Sequence, residues 1–408
     1  MSADATAGSA AAVPAPLADP RRRLGLNVLL VYTFFMVAGF AMLMPLVAVH
    51  FVKNVGLGVA AVGVALALRQ VMQQGLAIGG GMLADRYGVK TMMCLGVLLR
   101  AVGFSALAFA GDLPLLLVAM ALSALGGALF EAPYQAAIAA LTDDSDRPRY
   151  YALSNWVSGV ATTLGPLIGV ALLRFDFQWV CHAAAACFAL NFLIVWRGLP
   201  ALPAPSKPPS MLGNVAIAMR DRPFMQLVLL LMLYWCMAVQ LNLSFPLLAE
   251  RLSGGMDGVG IMFALSAALT VVLQVPLLRV LTPRMTPGRI LVAGVLLMSA
   301  STAVLGFVGG FAGFLACIAL FSIGAILTRP TQQTLIASLS NKAALGTYLG
   351  VSSISLAIGG GVGNVAGGWL VDLAAARGWP HLPWLVFASL GVLCALGLWR
   401  QVGARRVA

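Results

Sequence analysis

The stretch Gly81-Met-Leu-Ala-Asp85-Arg86-Tyr-Gly88-Val-Lys90 separates two apolar runs, 59–82 and 91–110. Each run has roughly the 20 residues that cross a bilayer core as a helix. The charged segment between them therefore reads as a short turn at a membrane face. Asp85 and Arg86 mark where the first run leaves the bilayer, Gly88 permits the turn, and Lys90 anchors the start of the next run. Gly81, just inside, lets a neighbouring helix approach closely.

The pattern continues in both directions. Ten more apolar runs fall at 26–49, 114–140, 153–173, 178–196, 224–249, 259–280, 289–309, 312–339, 348–371 and 383–400. Twelve spans would use about 240 residues of a chain of 408, in keeping with its 61% hydrophobic content. Only 9% of the residues are charged, against about 25% in an ordinary soluble protein. So few charges cannot coat a soluble globule. Helices are expected, because an open strand would leave backbone groups unpaired in lipid. The fold class is an all-α polytopic membrane protein of twelve transmembrane helices.

One connection is long. Arg197–Arg222 holds five prolines between Pro200 and Pro209 and reads as a semi-rigid linker. It divides the chain into an N-terminal six-helix bundle (26–196) and a C-terminal one (223–400), with tails at 1–25 and 401–408. The first tail, rich in Ala and Pro, is expected to be disordered. The halves resemble each other: the stretch from Gly126 to Leu141 and the stretch from Gly324 to Leu339 end equivalent spans, and a tyrosine follows each (Tyr151, Tyr348). Such a repeat suggests two bundles rocking about a midplane site.

Net charge is +12. Of the 25 Lys and Arg, four (Lys53, Arg174, Arg251, Arg377) fall in loops on one side and three (Arg69, Arg100, Arg329) within spans. The other 18 lie on the side of the linker and both chain ends, which places that side in the cytoplasm. Topology thus accounts for the charge, with no nucleic acid needed. The six cysteines sit in or beside apolar runs and have no metal-ligand spacing. The three histidines (His50, His182, His381) lie at span ends, and neither a catalytic set nor a nucleotide-binding loop is present. No enzyme activity, cofactor or metal is expected.

Charges inside spans are costly and mark function by default. Glu131 is the one acidic residue within a span, and three arginines accompany it. A carboxylate in low dielectric is a candidate proton carrier.

The stretch 81–90 resembles the loop signature of the major facilitator superfamily, departing at Val89, where a basic residue is usual. The resemblance implies alternating access between two six-helix bundles. It places Asp85 by the start of span 11 near Thr347, with Arg86 and Glu131 in a charge network that latches the outward-open state. Gly165-Pro166-Leu-Ile-Gly169 in span 5 looks like the core of the antiporter signature of drug exporters, with Pro166 kinking the helix and the glycines expected to permit tight packing against the other half. The stretches Gly63–Gly75, Leu99–Phe104 and Gly359–Leu373 also look like multidrug efflux members. Many such antiporters carry an acid in span 1; here span 1 shows Tyr32 and Thr33. The family rule that spans 1, 4, 7 and 10 line the cavity nominates Tyr32, Tyr134, Gln135, Tyr234, Gln240, Asn242, Arg329, Gln332 and Gln333. Arg69, Gln70 and Gln73 of span 2 join them, whereas Arg100 in span 3 is expected to be structural. The implied function is export of amphipathic drugs or small metabolites, with protons as coupling ion. The alternative, motivated by three arginines against one carboxylate, is an uptake or exchange carrier for an anionic metabolite.

Overall fold

The computed structural model describes residues 19–143, 146–200, 202, 211–340 and 345–404, and every element in it is helical. The first half contains α1 (Asp19–Val49), which runs on through a wider turn at His50–Asn54, then α2 (Val59–Tyr87), α3 (Val89–Leu107), α4 (Leu113–Leu141), α5 (Arg147–Leu173) and α6 (Phe177–Gly198). Helix α7 (Met211–Arg220) lies in the linker. The second half contains α8 (Arg222–Ala238), a tight turn at Val239–Asn242, α9 (Ser244–Ser253), α10 (Asp257–Leu281), α11 (Pro287–Leu305), α12 (Phe311–Leu339), α13 (Leu345–Ile354), α14 (Gly360–Arg377) and α15 (Leu382–Ala404).

Eleven spans among the described residues are long and apolar enough to cross a membrane; α2, bent by 47° between Val59–Ala77 and Gly79–Tyr87, makes the twelfth. Two spans are compound: α8 with α9, and α13 with α14. Helix starts are set by acids that satisfy orphan N–H groups. Asp112 Oδ1 accepts from Leu115 N at 2.9 Å, and Asp221 Oδ1 from Phe224 N at 3.3 Å. Gly88, at φ 92°, is the single residue between α2 and α3, a conformation that side chains disfavour. Val271, Val272 and Val275 of α10 are exposed, as a surface facing lipid requires.

The internal repeat is visible in packing. Gly126 of α4 lies on Gly96 of α3, and Gly324 of α12 on Gly294 of α11. A Cβ added at Gly126 or Gly324 would stand 2.6 or 2.7 Å from the facing glycine's carbonyl oxygen. The halves meet chiefly along two helix pairs, α2 with α14 and α5 with α10, with α1 also touching α9. The linker and the described chain ends share one face, here the linker face. Gln401 Nε2 donates to Pro223 O at 2.6 Å, and Lys90 Nζ to Leu199 O at 2.7 Å, both on that face.

Two stretches differ from the sequence reading. The first span begins at Asp19, so residues 19–25 of the expected tail are helical. Arg22 holds this turn, donating through Nε to Leu141 O (2.8 Å) and pairing with Asp143 at 2.6 Å. Within the linker, Met211–Arg220 has no proline and forms α7. Residues 1–18, 201, 203–210 and 405–408, on which the rest of the tail and linker readings fall, lie outside the described residues.

Candidate functional site

The polar residues of span 2 converge with α3 and α4. Gln73 stands at the centre. Its Oε1 accepts from Arg69 Nη1 at 3.2 Å and from Arg100 Nη2 at 2.5 Å, while its Nε2 donates to Glu131 Oε2 at 3.2 Å. Arg69 Nη2 also donates to Gln70 Oε1 at 3.3 Å. One amide therefore joins two cations and one carboxylate that are not in direct contact. The room for it comes from Gly127, where a Cβ would strike the Arg100 guanidinium and stand 2.8 Å from the Gln73 amide carbon.

Arg100 is buried among Phe40, Phe104, Phe130 and Phe188, with ring centroids 4.9 to 5.9 Å from its guanidinium carbon. Its Nε donates to Ser123 O at 3.1 Å. Taking a charge out of water costs several kcal/mol, on the order of what ring faces and hydrogen bonds must return. Arg100, expected to serve structure alone, is thus also a member of the polar cluster.

Beside the cluster lies a cavity of about 250 Å³. Phe40, Arg69, Gln70, Gln73 and Gln74 form its wall from the first half. Tyr234, Trp235, Asn242, Phe321 and Arg329 are on the wall from the second. Tyr234 is oriented by its hydroxyl, 3.1 Å from Thr328 Oγ1. Phe40, Trp235 and Phe321 were not singled out from sequence, because an aromatic residue in an apolar span reads the same toward lipid, core or cavity.

Several other candidates do not line this cavity. Tyr32 is fully buried and stacks on Tyr134, ring centroids 5.4 Å apart. The Tyr134 hydroxyl lies 2.6 Å from Thr33 Oγ1 and 3.2 Å from Ser154 Oγ. Gln135 is exposed and accepts from Tyr151 at 3.1 Å. Gln240 is committed within its own half: Nε2 donates to Gly363 O at 2.8 Å and Oε1 accepts from Ser244 at 2.7 Å. Gln332 is buried and Gln333 exposed, and neither is among the lining residues.

At the linker face, Asp85 makes no hydrogen bond or ion pair among the described residues, although α2 touches α13. Arg86 stacks its guanidinium over the Tyr87 ring at 5.3 Å. Glu131 is tied to Gln73 rather than to Asp85 or Arg86. Gly81 faces the Ala132 methyl at 3.6 Å, beside Glu131. In span 5, Gly165 and Gly169 face α1 of their own half, with a Gly165 Cβ 2.9 Å from Ala38 O, where sequence reasoning had turned them to the other bundle. The α5–α10 contact instead sets Val170 on Gly260, where a Cβ would stand 3.1 Å away.

Every hydrogen bond and ion pair between the halves among the described residues lies at the face opposite the linker. Asp372, near the end of α14, accepts from Val59 N at 3.2 Å and Ala60 N at 2.8 Å, and so caps α2 from the other half. Lys53 Nζ lies 3.1 Å from Glu250 Oε2, and Arg174 Nη2 lies 3.4 Å from Asp257 Oδ1. Behind Asp372 the backbones nearly touch: a Cβ at Gly63 or at Gly368 would strike the facing backbone carbonyl.

Twelve spans in two repeated halves, a shared cavity at their junction and polar contacts between the halves confined to one face define a transporter of the alternating-access kind. The chain belongs to the Major Facilitator Superfamily, whose family model matches residues 29–363. It is 37% identical over 393 residues to the multidrug resistance protein MdtH of Yersinia pestis (strain Pestoides F), covering 96% of this chain and 98% of that protein. MdtH of Yersinia pseudotuberculosis (serotype O:3, strain YPIII) matches equally, at 37% over the same lengths. Among solved structures, a POT family transporter in complex with 5-aminolevulinic acid superposes with a TM-score of 0.78 at 15% identity, over 91% of this chain and 94% of that one. The nucleoside transporter NupG gives 0.75 at 13%, over 92% and 98%. At such identities these two share the fold alone.

Proposed function

We propose that the chain exports amphipathic small molecules across a bacterial inner membrane, with its linker face in the cytoplasm, in exchange for protons. The observation that carries this reading is the cavity walled by both halves beneath a closed opposite face. In this state substrate would enter from the cytoplasm. Rocking the halves would then break the Asp372 cap and the two ion pairs and present the cavity to the other side. The basic excess on the linker side supports the orientation. The likeness to MdtH over nearly the full length supports the substrate class.

Glu131 is our candidate for the proton site. Among the described residues it is the one carboxylate away from the ends of a span, and Gln73 links it to an arginine of the cavity wall, so a change in its charge is felt there. The test is to reconstitute the full chain in vesicles, impose a pH gradient and follow a panel of amphipathic cations, neutral compounds and anions. Gradient-driven movement of at least one compound is expected, and Glu131→Gln should abolish the gradient dependence while leaving exchange across the membrane. If nothing moves with the gradient, the proton-exchange reading is lost.

A further inference from the structure

We propose that the midplane cavity holds the anionic head of an amphipathic organic acid between Arg69 and Arg329. This rests on the carrier reading above and narrows its substrate class. Among the described residues, the only charged side chains lining the cavity are these two arginines, one from each half, and no acid lines it. Arg69 is 8% exposed. Its hydrogen-bond acceptors are the neutral amide oxygens of Gln70 and Gln73, and its Nε is buried without a partner. Arg329, on the facing wall, makes no hydrogen bond or ion pair among the described residues.

The charges beside the cavity do not balance. Arg69 and Arg100 share the single carboxylate of Glu131, and they reach it only through Gln73. One buried positive charge is left over, and the exposed Arg329 adds a further positive charge at the wall. A buried guanidinium without a counter-charge is costly; an anion between the two would relieve that cost at Arg69 and be attracted by Arg329 from the other half. A guanidinium offers a planar donor fork that matches a carboxylate. The rest of the wall includes Phe40, Trp235 and Phe321, which suit an aromatic body. A cation of the same shape would be repelled by both arginines. The competing view is that Arg69 only braces span 2 through its two glutamines, in which case ligand charge would not matter.

The test uses three probes of one shape and different charge: benzoate, benzamide and benzylammonium. Binding to the purified full-length carrier is measured by titration calorimetry. Benzoate should bind at least about tenfold more tightly than benzamide, and benzylammonium weakest. Arg329→Gln, which breaks no described contact, should weaken benzoate about tenfold and leave benzamide unchanged. Arg69→Gln should do the same, with its gel-filtration profile as the control for folding. Equal affinity for the three probes, or an Arg329→Gln loss shared by benzoate and benzamide, overturns the proposal. The carrier reading fails separately. Vesicle transport that ignores ligand charge removes the anion site and keeps the carrier, whereas charge-selective binding without transport of any compound keeps the site and removes the carrier.

Discussion

The two ends of α2 are in opposite conditions. At Val59 the helix is capped by Asp372 of the other half, with backbone pressed on backbone behind it. At Asp85 the helix ends beside α13 with no polar contact to it among the described residues. Span 11 runs antiparallel to α2, so each helix carries an aspartate near its C-terminal end, where the other begins. One of the two possible caps is made. If the second forms only when the first is broken, a single helix pair holds the two states apart, and the state observed is the one closed at Asp372.

This contrast can be broken at several points. Gly368→Val should have the largest effect. Its side chain would strike the Val59 carbonyl, and overpacking of this kind costs about 1–3 kcal/mol, charged to the closed opposite face alone. Transport should fall to background, and spin labels on the 55–58 and 253–257 loops should report separated halves. Asp372→Ala comes next. Losing a helix cap costs about 1 kcal/mol, about a fivefold shift toward the open opposite face in the same distance measurement. Asp372→Asn, which still accepts a hydrogen bond, should recover most of it. Asp85→Asn should slow transport while leaving folding and the observed state intact, by about the 0.3–1 kcal/mol of a carboxylate at a helix start; unchanged transport would sink the second cap. Smaller still is the pair Lys53–Glu250, with side chains 49% and 20% exposed, where a double-mutant cycle should return under about 1 kcal/mol. The Arg174–Asp257 pair, more than 70% exposed on both sides, should contribute nothing measurable to state populations.

The spans were legible because hydropathy over some 20 residues is a one-dimensional signal, and the Gly88 turn because a single glycine stands between two such runs. The site was legible in part. Arg69, Gln70, Gln73, Tyr234, Asn242 and Arg329 were named and do line the cavity. Gln240 and Gln135 were named on the same grounds and do not. A polar side chain in a span looks alike whether it faces a ligand or, as Gln240 does, satisfies a neighbouring backbone carbonyl. The Gln73 bridge needs three helices in register, and spacing along one of them cannot reveal it. The glycines at 165 and 169 announced close packing, but the neighbour is α1 of their own half where the sequence pointed to the other bundle. Asp372 stood at the edge of its span as an ordinary flanking acid, since its partners are the backbone N–H groups of residues some three hundred positions away.

Helix α14 packs glycines on two faces. Gly363 and Gly367 lie on α8 and the turn that follows it, within one half, while Gly361 and Gly368 lie on α2 of the other. A genetic selection for lost transport would sort these neighbouring codons into separate classes. Bulky replacements at 363 or 367 strike a contact that moves as one body, and the protein should vanish from the membrane. Replacements at 361 or 368 strike a contact that must be made and broken, and full amounts of an idle carrier should accumulate. Second-site revertants of the latter class should cluster at 59–71, in the half of the gene that the original lesion did not touch.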